Sequence, residues 1–133
     1  MCIFCKIVQG EIPCYKIYED ENNIAFLDIS PRTKGHSLVI PKKHSDTLDS
    51  ISQGDYIALS LAVTKVAHLL KSKLSADGYN IFCNNGTVAG QEVPHTHFHI
   101  FPRFADNKIK MTLPPILEDI KKNLSEIHKQ IIS

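Results

Sequence analysis

Seven residues constrain this chain more than any others: His95-Thr96-His97-Phe98-His99-Ile100-Phe101. Three histidines alternate with apolar or β-prone residues. Side chains two apart on a strand share a face, so the pattern predicts a strand with all three imidazoles on one side and Phe98 and Ile100 in a core on the other. Neighbouring rings would then stand roughly 6.6 Å apart, close enough for one to ligate a metal while the next does other chemistry. Three titratable rings add nothing to a strand whose only task is stability. A rival arrangement has all three on one metal, as H-x-H strands permit.

The rest of the chain bounds the answer. Its 133 residues suit one domain, and 43% hydrophobic with 22% charged residues is an ordinary globular composition. Fifteen Lys plus Arg against 14 Asp plus Glu offer no electrostatic case for nucleic-acid or membrane binding. No apolar run approaches the ~18 residues of a membrane span, and the start reads as no signal peptide. The expected compartment is therefore the cytoplasm, where Cys2, Cys5, Cys14 and Cys83 stay reduced and suit metal binding or burial.

Strands are expected at 15–18, 24–29, 35–41, 79–83 and 95–101. A long helix lies between the third and fourth, started by a Ser52/Asp55 capping box and ended by Asp77-Gly78. Ile57, Leu61, Val66, Leu69 and Leu70 mark its apolar side; His68 within it reads as structural. Residues 84–91 join the last two strands. A hairpin needs less, and the glycines there expose N–H groups suited to an anion. Beyond Ala105, Ile116, Ile120, Leu124, Ile127 and Ile131 form a narrow helical stripe, with His128 outside it. That C-terminal extension, 105–133, is expected to pack on the 1–104 domain or on a partner subunit.

Cys2-x-x-Cys5 is half of a zinc site, and His44 and His95 are the best candidates for the other half. Four protein ligands leave no open position, so this centre would be structural, one zinc per chain, tying down the N-terminus. His97 is then free: a neutral imidazole attacks phosphorus competently. His99, Asn84 and backbone N–H groups near Gly90, Gln91 and Glu92 would meet the phosphate oxygens. Asp28 has two readings, a turn carboxylate before Ser30-Pro31 or a ligand for two ribose hydroxyls.

The segment from Gly90 to Phe101 resembles the signature of the histidine triad (HIT) family, and 2–7, 26–31 and 35–44 resemble its other motifs, closest to the Hint-like branch of small bacterial and archaeal members. The resemblance implies an α+β, two-layer HIT-like domain with a five-stranded antiparallel sheet, paired into a homodimer with a ten-stranded sheet. It implies hydrolysis of a purine nucleoside 5′-phosphoramidate, or a related α-phosphate substituent, with His97 as nucleophile and AMP or GMP released. It also implies phosphate contacts from His99, Asn84 and Gln91-Glu92, ribose hydroxyls at Asp28, and a base pocket of Phe4, Ile7, Ile12, Phe26, Leu27 and Ile29. Zinc on Cys2, Cys5, His44 and His95 follows in many bacterial relatives. Glu92 departs from the serine or threonine common there, which puts the leaving group in question. The alternatives are a dinucleoside polyphosphate hydrolase and a non-catalytic nucleotide-binding or scaffold dimer.

Overall fold

In the computed structural model, which describes residues 2–107 and 109–133, the elements run α1 (Ile3–Val8), β1 (Lys16–Glu19), β2 (Asn23–Leu27), β3 (Ser37–Pro41), α2 (Gln53–Leu74), β4 (Gly78–Cys83), β5 (Phe98–Arg103), α3 (Glu118–Lys122) and α4 (Leu124–Ile132). The strands form one antiparallel sheet in the order β1-β2-β3-β5-β4. This is the expected α+β, two-layer arrangement.

Alternation along the strands divides two cores. Ala25, Val39 and Ile100 face α2 and bury its Leu59, Val63, Val66 and Leu70. Ile24, Phe26, Leu38 and Ile40 face the opposite way and are covered by Phe4 of α1. The second face therefore carries His99, the neighbour of Ile100, and it is the face on which the site lies. The side of α2 that packs is the expected one only in part, through Val66 and Leu70. Ile57 and Leu61 are exposed, while Ala62 and Ala67 are buried beside the larger residues. Two alanines let the helix approach the sheet closely, which a stripe of large aliphatics would not.

Ser52 caps α2 as expected, its Oγ accepting from the Asp55 N–H at 3.1 Å. The helix ends earlier than Asp77-Gly78, at Ser75 in the left-handed conformation (φ 55°). The sheet explains the difference. Asp77 already donates its N–H to the Arg103 carbonyl at 2.9 Å, and Gly78, paired with Arg103, opens β4. Gly35 (φ +84°) lies so close beneath the end of α2 that a Cβ there would overlap Leu74.

β5 starts at Phe98, after His95 and His97. Pro41 closes β3 and carries no N–H to extend the ladder. Thr96 instead donates its N–H to the Ser45 carbonyl at 2.7 Å, and the two hydroxyls pair at 2.7 Å. The C-terminal stripe forms two helices instead of one, broken at Asn123. Ile120, Leu124, Ile131 and Ile132 are exposed, as is His128. Among the described residues, no helix is long and apolar enough to cross a membrane.

Candidate functional site

Leaving the ladder before β5 turns the three histidines to different tasks. His95, fully buried, points its Nδ1 at Cys2 Sγ (3.3 Å), Cys5 Sγ (3.5 Å) and His44 Nδ1 (3.2 Å). Its Nε2 donates to the Pro41 carbonyl at 2.8 Å, and His44 Nε2 lies 2.7 Å from Asp46 Oδ1. Both outer nitrogens are thus engaged as donors, so two Nδ1 lone pairs face each other with no proton between them. That is the tautomer pair a metal selects. Cys2 and Cys5 lie 3.2 Å apart, and their sulfurs stand 3.6 and 3.3 Å from His44 Nδ1. Tetrahedral zinc with two sulfurs and two nitrogens spaces its ligands about 3.3–3.8 Å apart. These four atoms match within about 0.6 Å, so the donor set fits zinc. Asp46 holds His44 above the ordinary histidine range, whereas burial pushes His95 below it.

His97 faces a cavity of about 490 Å³. Its Nδ1 lies 2.7 Å from the His95 carbonyl, which accepts only from an N–H. The proton therefore resides on Nδ1 and the lone pair on Nε2. Burial lowers the His97 pKa, so the ring is neutral at pH 7. A neutral imidazole with one free lone pair at a cavity is a nucleophile or base.

His99 stands beside it, ring centroids 4.9 Å apart, stacked on Phe82 at 4.7 Å. Burial first, then the neighbouring His97 and His36, push its pKa down to about 4. His36 is the residue that sequence reasoning missed. The sequence gives it no role of its own beyond a place in the third strand and a family-like segment, yet it is buried, with Nδ1 accepting the Arg32 N–H at 3.2 Å. Its proton is then on Nε2, 3.0 Å from His99 Nδ1 and 3.4 Å from Asp28 Oδ2. The chain of bonds leaves His99 with Nε2–H as donor. A histidine at the threshold of the apolar β3 was the available signal.

Asp28 is a turn carboxylate that also borders the cavity. Oδ1 accepts the Ser30 N–H at 2.8 Å as a turn carboxylate does, and the side chain also lines the cavity. Phe4, Ile7, Ile12, Phe26 and Leu27 form the apolar wall; Ile29 lines the cavity from an exposed position at its edge. Asn84 and Gly90 line it too, with Asn84 Nδ2 donating to the Gly90 carbonyl at 3.4 Å. Gly90 adopts φ +95°, which few other residues tolerate. Gln91 is not in the wall. Its buried side chain accepts from Gly86 N–H and donates to the Asp46 and Val93 carbonyls, bracing the loop. Glu92 lines the cavity with its carboxylate exposed.

The HIT domain family model matches residues 9–106. An uncharacterised HIT-like protein of Methanocaldococcus jannaschii is 50% identical over 129 residues, covering 91% of this chain and 99% of that protein. The adenosine 5′-monophosphoramidase of Schizosaccharomyces pombe is 46% identical over 105 residues, covering 77% of this chain and 74% of its own. A zinc-bound histidine triad family protein of Mycobacterium smegmatis superposes with a TM-score of 0.79 at 36% identity, covering 97% of this chain and 96% of that one. With the matched span, these relatives and the shared fold, this chain belongs to the HIT family.

Proposed function

We propose that this protein hydrolyses a purine nucleoside 5′-phosphoramidate through a nucleotidyl-histidine intermediate at His97. The observation that carries the reading is the His97 Nδ1–H bond to the His95 carbonyl, which aims an unprotonated Nε2 at the cavity. Nε2 attacks the α-phosphorus and the P–N bond to the amine breaks, the amine departing with a proton taken from solvent water. A second water then attacks the same phosphorus, the bond to Nε2 breaks, AMP or GMP leaves, and the proton that water gives up returns to solvent. His99 Nε2–H, Asn84 and the backbone N–H groups of the 90–92 loop stabilise the charge gathering on the phosphoryl oxygens. Asp28 holds the ribose hydroxyls, and Phe4, Ile7, Ile12, Phe26, Leu27 and Ile29 take the base. The monophosphoramidase name of the fission-yeast relative supports the same reaction.

Glu92 favours an amine leaving group over a second nucleotide. Its exposed carboxylate repels a departing polyphosphate and attracts an amine that leaves protonated. Cys2, Cys5, His44 and His95 would hold one zinc, which supplies a cross-link and no chemistry to the reacting centre. The protein would act as a cytoplasmic homodimer. Support for pairing lies in β4, an edge strand whose outer backbone groups are open to a second copy, and in the exposed apolar stripe of 105–133. Incubation with adenosine phosphoramidate and with a dinucleoside polyphosphate tests the assignment. Faster release of AMP from the phosphoramidate is expected, and the opposite order would reassign the substrate.

A further inference from the structure

Phe4 stands between the cysteine–histidine centre and the nucleophile. It is the one buried residue of α1 and is bracketed in sequence by Cys2 and Cys5. Its ring meets His95 edge-on at 5.9 Å, His97 at 5.1 Å and Phe26 at 5.6 Å. Ile7, on the next turn, and Ile12, just beyond the helix, line the same cavity. Six residues make too short a helix to hold its place by itself. Among the described residues, every hydrogen bond that leaves 2–12 for the rest of the chain runs through the sulfurs of Cys2 and Cys5, to His44 and His95. The other side of the cavity is fastened differently. His99 sits in the β5 ladder, and the 84–91 loop is braced by Gln91.

From this asymmetry we propose that the Cys2–Cys5–His44–His95 centre sets nucleoside affinity: metal there clamps α1, and with it the Phe4–Ile7–Ile12 wall, over the base. The proposal rests on the nucleotide reading above. Without metal the wall keeps only thiol–imidazole hydrogen bonds as its polar fastening, while the phosphate end stays built. The base then loses its apolar contact and the phosphate keeps its donors. Coupling between two binding sites is reciprocal, so nucleotide must tighten metal binding by the factor by which metal tightens nucleotide.

The test uses the full chain, zinc-loaded and stripped by a chelator. AMP and inorganic phosphate affinities are measured by calorimetry, and zinc affinity by competition with a chromophoric chelator, with and without AMP. Stripping is expected to weaken AMP about tenfold or more and to leave phosphate unchanged, while AMP raises zinc affinity by the same factor. Phe4→Ala, zinc-loaded, is expected to bind AMP weakly and to show no response of zinc affinity to AMP. Equal AMP affinity with and without zinc overturns the proposal. So does loss of phosphate together with AMP on stripping, because the whole fold and not α1 would then depend on the metal. An undiminished AMP effect on zinc affinity in Phe4→Ala overturns it as well. Absence of AMP binding to the zinc-loaded protein removes the nucleotide reading itself, and the proposal with it.

Discussion

At the scale of single residues, hydrogen bonds to the outer nitrogens decide what each imidazole does. His95 donates outward to Pro41 and keeps its lone pair for the centre. His97 donates to the His95 carbonyl and keeps its lone pair for the cavity. His97→Ala is therefore expected to abolish turnover while retaining zinc and thermal stability. Metal analysis, a melting curve and a rate measured on one preparation check this; lost metal would instead place His97 in the centre. His36 acts one step further back, by fixing the His99 tautomer. His36→Ala should lower kcat/KM by about 10- to 100-fold, the usual cost of losing an outer partner. His36→Gln, which can still donate to His99 Nδ1, should recover part of it. Equal rates for the two variants would show that only packing matters there. The histidine alternation was legible as a site in the sequence, and so was the zinc quartet as a candidate set. His36 was not, because its importance lies in a contact 63 positions away in the chain.

At the scale of elements, capping was readable and termination was not. Ser52 serves α2 locally, so Ser52→Ala should destabilise by about 1 kcal/mol in a denaturant titration. Ser75 holds a left-handed conformation that glycine adopts freely, so Ser75→Gly should stabilise by up to about 1 kcal/mol. Two changes at opposite ends of one helix then carry opposite signs. An Asp-Gly pair favours a stop by local turn chemistry, but Asp77 bonds to the Arg103 carbonyl and Gly78 opens β4 against Arg103. Similarly, a strand reading of 95–101 follows from alternation, yet Pro41 and Ser45 hold 95–97 outside the ladder. Helix α1 gave little periodic signal in its six residues, and its burial rests on Phe4 alone.

For the whole molecule, the buried histidines make stability depend on pH. His36 and His99 have pKa values lowered by burial, His99 to about 4. Unfolded, both return toward the ordinary value of about 6.5. Between those values the unfolded chain binds more protons than the native one, so stability rises with pH across the window and is lost as pH falls from about 6.5 toward 4. Denaturant midpoints at pH 7 and pH 5 should show the decline, and an unchanged midpoint would contradict the burial of neutral rings. The proposed dimer is checked by sedimentation of the full chain and of one ending at Phe104; a monomeric full chain would refute pairing. Composition, strand order along the chain, the capping box and the chemistry-bearing residues were determined by sequence, because each depends on neighbours within a few positions. The tertiary structure decided which residues of α2 beyond Val66 and Leu70 pack, where β5 begins, and which nitrogen of each histidine carries the proton. Those depend on partners such as Pro41, Ser45 and His36, which only folding brings beside the triad.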